Sequence, residues 1–161
     1  MTDIEMKHLI AAGLTLIMLM CCSAALGEES AAIESFAYSY SGESVDAIRR
    51  YEIRMTPRGY VADIELMAGN TRIILSMTEE EVAVFIGSLG DLSSWDGFSG
   101  NNPYMLDGES FHLDIAYADG TGVSASGSNA FPEGYFGIKS AVIDFFSNLM
   151  DEYGIYEYFF E

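Results

Sequence analysis

From Ser35 to Ser41 the chain alternates, with Phe36, Tyr38 and Tyr40 on one side and Ala37, Ser39 and Ser41 on the other. A period of two is the signature of a strand that buries one face. Residues 49–56 repeat it, placing Tyr51, Ile53 and Met55 inward and Glu52, Arg54 and Thr56 outward. Thr56-Pro57-Arg58-Gly59 reads as a type I turn, with proline second and glycine fourth. Beyond it Ala62, Ile64 and Leu66 oppose Asp63 and Glu65, Gly69-Asn70 turns the chain again, and residues 71–77 form a fourth strand. Four strands on short links predict an antiparallel meander with one wet face.

The period then changes. Val82, Phe85, Ile86 and Leu89 are spaced as the stripe of a core-facing helix. Thr78 and Glu81 make a capping box at its start, and Gly90 suits its C-terminal end. Glu79, Glu80 and Glu81 sit at the positive end of the helix dipole, which accounts for this acidic run. A loop of about twenty residues, Asp91 to Ser110, carries the only tryptophan, Trp95. Phe111, Leu113, Ile115 and Tyr117 then alternate against His112, Asp114 and Ala116. Asp119-Gly120 signals a hairpin, and Val123 and Ala125 lie inward on the returning strand. Pro132 fits the first turn of a second helix, striped by Ile138, Val142, Phe145 and Leu149 and ended by Gly154. The order ββββ-α-ββ-α predicts an α+β fold: a mostly antiparallel sheet with two helices packed on one face.

The first residues add a compartment. Lys7 and His8 precede an apolar run from Leu9 to Met20, and Ala25 and Gly27 supply small residues for cleavage after Gly27. This layout predicts a signal peptide over 1–27 and a single domain over 28–161. Met6 is a better start than Met1, because Asp3 and Glu5 do not suit the leading segment. Two alternatives stand beside cleavage. Leu9 to Gly27 is an uncharged stretch of nearly spanning length and would serve as an N-terminal membrane anchor. Cys22 would serve as a lipidation site, although Met20 and Cys21 are poor neighbours for one. Both cysteines fall in this segment, so a cleaved chain has no disulfide framework and no thiol chemistry.

Charge narrows the partners. The chain has 25 acidic and 7 basic residues, a formal −18, and loss of residues 1–27 leaves −17. Without a basic footprint there is nothing to neutralise phosphates, so nucleic acid is excluded. Anionic lipid should repel the domain too, leaving membrane contact to the N-terminal segment. Cations and basic partners fit.

No constellation commits the chain to a reaction. Gly127-Ser128-Asn129-Ala130-Phe131 lacks the final glycine of a nucleophile elbow, and His112 falls on the polar face of a strand. After loss of residues 1–27 one histidine and no cysteine remain, which cannot build a zinc site of the usual kind. Hard cations take carboxylates, which the 91–110 loop offers, but Asp96 stands where an EF-hand counted from Asp91 needs glycine. Phosphate-binding glycine motifs are absent from the sequence.

Four blocks carry a resemblance. They are Trp95-Asp96-Gly97-Phe98; Leu106-Asp107-Gly108 with Phe111; Asp119-Gly120; and Ala125-Ser126-Gly127-Ser128-Asn129 followed by Phe131-Pro132 and Tyr135. In this order they resemble an uncharacterised family of exported bacterial and archaeal proteins, many with lipoprotein-type leaders. The resemblance covers roughly the C-terminal half. It implies export and implies that the loop and the hairpin-to-helix joint form one unit; it brings no activity. The expectation is a secreted or extracytoplasmic, non-enzymatic binding module acting on a protein or glycan at the cell envelope. Its candidate ligand surface is Trp95, Asp96, Asp107, Glu109 and Asn129, gathered at one end of the sheet. The alternatives are a Ca²⁺-dependent module using the 91–110 loop and a hydrolase of envelope polymers with two carboxylates flanking a cleft.

Overall fold

In a computed structural model, residues 32–42, 49–66, 71–105 and 108–155 are described. The expectations for the 1–27 segment and Cys22, the Gly69-Asn70 turn and Asp107 lie outside these residues. Seven strands form one sheet: β1 (Ile33–Ser41), β2 (Arg49–Thr56), β3 (Gly59–Leu66), β4 (Thr71–Met77), β5 (Ser99–Asn101), β6 (Ser110–Tyr117) and β7 (Gly122–Ser128). Two helices accompany them, α1 (Glu79–Leu89) between β4 and β5, and α2 (Tyr135–Glu152) after β7. The strand order is β4-β3-β2-β1-β6-β7-β5. Every pairing is antiparallel except that of β5 with β7, which is parallel.

The expected α+β arrangement in the order ββββ-α-ββ-α is therefore corrected. A seventh strand enters between α1 and β6, the sheet is mixed, and the fold is predominantly sheet. The reason is local. Ser99, Gly100 and Asn101 have no apolar alternation, and they become a strand only because β7 offers them a free edge. Close approach at that edge needs small residues. Gly100 of β5 pairs with Gly127 of β7, and a Cβ on Gly100 would lie 2.8 Å from the Phe98 ring and 2.9 Å from the Ala130 Cβ.

One face of the sheet carries the core. Phe36 of β1 meets Phe85 of α1 edge-on at 4.8 Å between ring centroids, and Tyr51 of β2 stacks on Phe146 of α2 at 4.8 Å. Phe36, Phe85 and Phe146 are all fully buried. α1 begins with its capping box: the Thr78 hydroxyl accepts from the Glu81 N–H, and the Glu81 carboxylate accepts from the Thr78 N–H at 2.6 Å. α2 starts three residues later than the proline predicts. Gly134 precedes it with a φ of 78°, a left-handed turn that puts Pro132 outside the helix. Its buried residues are Tyr135, Val142, Phe146, Leu149 and Met150, while Phe145 is only half-buried. Met55, placed inward by alternation, is 47% exposed at the end of β2.

The opposite face of the sheet is charged and has one buried carboxylate. Asp63 of β3 accepts from Arg54 at 2.9 Å and twice from Arg72, at 2.8 and 2.6 Å. Arg72, with Arg54, holds its carboxyl below the usual carboxylate range. Among the described residues, no helix is long and apolar enough to cross a membrane.

Candidate functional site

Where β1, β6 and the start of α2 meet, polar groups are drawn into the core. Glu109, just before β6, accepts from the hydroxyl of Tyr135 and from the ammonium of Lys139. Tyr135 and Lys139 are one helical turn apart, so both face the same carboxylate. The hydroxyls of Tyr38 and Tyr135 are 3.1 Å apart; with the Tyr135 proton directed to Glu109, Tyr38 is the donor. The Lys139 ammonium also lies 4.4 Å from the centre of the Tyr40 ring, a cation–π contact. The Glu109 and Lys139 side chains are each about one-fifth exposed.

Burial raises the phenol of Tyr135 well above its ordinary value, and the bond to Glu109 adds to it. Tyr38 and Tyr51 are raised chiefly by burial, and Tyr40 is pushed up to about 12 by burial and by Tyr51. Raised phenols favour the protonated fold. Their contribution is complete below the unfolded value near 10 and fades as pH climbs toward the folded values, because the unfolded chain releases protons first. Alkaline titration should therefore show the phenolate absorbance of these four tyrosines appearing together with loss of circular dichroism. Full phenolate absorbance in an intact fold would contradict a closed network.

The structure separates the residues expected to form a ligand surface. Trp95, in a single 3-10 turn at Ser93–Trp95, is 3% exposed and donates its indole N–H to the Glu133 carbonyl at 3.1 Å. It packs near Phe111 and Tyr135, each 6.2 Å away between ring centroids. Asp96 turns to the Ser124 N–H at 3.1 Å, partway along β7. Asn129 adopts a left-handed φ of 56° and donates through its N–H to the Glu109 carbonyl at 2.8 Å. Its side-chain amide donates to the Met105 carbonyl at 3.1 Å, while its Oδ1 is buried with no hydrogen-bond partner. Glu109 and Asn129 are thus neighbours, Trp95 is part of the core, and Asp96 is turned to the β7 backbone. In the same loop the Asp91 carboxylate accepts from the Ser93 N–H at 2.8 Å. Among the described residues, no group of three or more metal-ligating side chains converges. On the open face His112 pairs with Asp114, two residues along the same strand, rather than with a serine.

The surface is where charge divides. All five arginines, Arg49, Arg50, Arg54, Arg58 and Arg72, lie on β2, β4 or the turn after β2. After Arg72 the chain has one more lysine or arginine, Lys139, and it is bound to Glu109. The two helices carry Glu79, Glu80, Glu81, Asp144, Asp151 and Glu152 against that single cation. Between them runs an open groove of about 460 Å³ whose apolar floor is Val84, Phe145 and Leu149. Glu80, Glu81 and Glu152 stand on its rim. Val84 is 65% exposed. Sequence reading passed over it because it falls outside the stripe of Val82, Phe85, Ile86 and Leu89. The available signal was an apolar residue at a solvent-facing helical position. No family model and no curated protein matches the chain.

Proposed function

We propose that the protein is an exported, non-enzymatic binding domain that holds a basic partner protein at or outside the cell envelope. The observation that carries this reading is the division of charge. The arginines are gathered on one part of the sheet, where Arg50, Arg54 and Arg72 pair with carboxylates, while the helix layer is left acidic with apolar side chains open to solvent. Such a surface steers cationic partners and repels anionic ones. Export rests on the leader-like layout of residues 1–27.

A tagged full chain expressed in its own host tests both parts. The expected product is extracytoplasmic, lacks residues 1–27 by intact mass, and retains a basic companion protein that high salt releases. A full-length product confined to the cytoplasm would overturn the export reading. Companions retained equally at low and high salt would overturn the electrostatic one. The calcium alternative has a separate readout. Added Ca²⁺ should leave the melting temperature and the emission of Trp95 unchanged, and a saturable rise in both would assign the 91–110 loop a cation instead.

A further inference from the structure

The inference rests on the reading of a basic partner and names where and in what form that partner binds. We infer that the groove between α1 and α2 receives a cationic amphipathic helix of a partner protein, with one or two large apolar side chains on Val84 and Phe145 and its lysines or arginines over Glu80 and Glu152. Three observations converge on it. First, the floor is apolar and open. Val84 stands 65% exposed, and Phe145, half-buried, packs on Phe85 at 4.5 Å with the rings tilted by 32° and also lines the groove. An apolar row between two helices is the surface into which a third helix lays its own apolar stripe.

Second, the rim carboxylates differ in what they already do. Glu81 is engaged in the capping box with Thr78. Glu80 and Glu152 are exposed and make no ion pair or hydrogen bond among the described residues. They are the charges left over for a partner. Third, Asp151 and Glu152 close the last turn of α2, which has no basic residue. Carboxylates there face the negative end of the helix dipole, an arrangement that is unfavourable alone and is relieved by a cation. A helix of negative character would meet repulsion at the same place, and a neutral one would gain no attraction there. The groove volume, about 460 Å³, suits a few side chains and not a folded domain, so the helix contributes its anchors and the remainder of the contact is electrostatic.

The test uses the full chain and a labelled synthetic helix of leucine and lysine, with leucines at helical spacing. A leucine–glutamate helix of the same pattern and a lysine-only peptide are its controls. Binding is followed by fluorescence anisotropy at low and moderate salt. The leucine–lysine helix should bind, and the controls should bind at least about tenfold more weakly. Val84→Lys and the pair Glu80→Lys with Glu152→Lys should each weaken it by about tenfold or more. Because these positions are exposed, melting temperatures should stay close to that of the unaltered chain. Equal binding to the unaltered chain and to Val84→Lys would place the helix elsewhere and overturn the groove, while the wider reading of a basic partner would stand. Binding of the lysine-only peptide as strong as that of the leucine–lysine helix would also overturn it, since the apolar floor would then contribute nothing. No salt-sensitive binding of any cationic peptide would overturn the groove and the basic-partner reading together.

Discussion

Replacing Phe146 with alanine should destabilise the protein by about 3–5 kcal/mol, the range for deleting a large aromatic side chain from a core. Phe146 has no exposed surface and is a hub of rings: Tyr51 at 4.8 Å, Phe145 at 5.4 Å, Phe85 at 5.6 Å and Phe36 at 6.5 Å. Those partners come from β1, β2, α1 and α2 itself, so the void would open where both helices meet the sheet. Folded domains are stable by only about 5–15 kcal/mol, and a loss of this size removes a large part of that margin. Urea unfolding should show a lower midpoint with an unchanged slope. The informative comparison is Phe145→Ala. Its side chain is half-buried at the groove, so it should cost clearly less. If Phe145→Ala proved the more damaging of the two, the assignment of the α2 core face would be wrong.

Glu109→Ala is expected to cost about 2–3 kcal/mol, below the range for a fully buried pair because about a fifth of each partner is exposed. The change leaves the Lys139 ammonium without its carboxylate and the Tyr135 hydroxyl without its acceptor. The paired replacement Glu109→Leu with Lys139→Met should recover most of the loss, since it removes both charges together. Equilibrium unfolding of Glu109→Leu, Lys139→Met and their double variant gives the coupling between the two positions. Additive losses would mean that Glu109 and Lys139 do not act as a pair.

Much of the sheet could be read from side-chain order because one face is buried and the other is not. Phe36 and Tyr38 alternate with Ala37 and Ser39, and the structure turns the first pair to the core. The start of α1 was equally legible, because a capping box is a local arrangement of two side chains within four residues. What escaped reading depends on distant neighbours. Ser99 to Asn101 carry no pattern of their own and owe their strand to the edge of β7. Gly134 sets the start of α2 through its positive φ, against the local preference of Pro132 for a first turn. Alternation assigns Met55 to a face but says nothing about whether a helix covers that end of the sheet. The site was less legible. Trp95 and the acidic loop drew notice for their residue types, yet Trp95 is core and Asp91 and Asp96 bond to backbone N–H groups. Residue type assigns Glu109 to the surface, and nothing local ties it to Lys139, the last basic residue of the chain, which lies thirty positions away.

The position of β1 has a consequence for how the chain reaches this state. β1 lies between β2, its neighbour in sequence, and β6, where Phe36 sits opposite Ile115. Hairpin pairing can assemble β1 to β4 early, since each link is short. The join to β6 requires closing a loop that spans β2, β3, β4, α1 and β5. A pairing this distant forms more slowly than the hairpins, because the loop must close before its contacts are gained. Until it forms, the nine residues of β1 present an open edge at what will be the middle of the sheet. An edge of this length beside Phe36 and Tyr38 is a template for strands of other chains. The slow step in folding is thus also the step at which self-association competes, and dilute refolding should give a higher native yield than concentrated refolding.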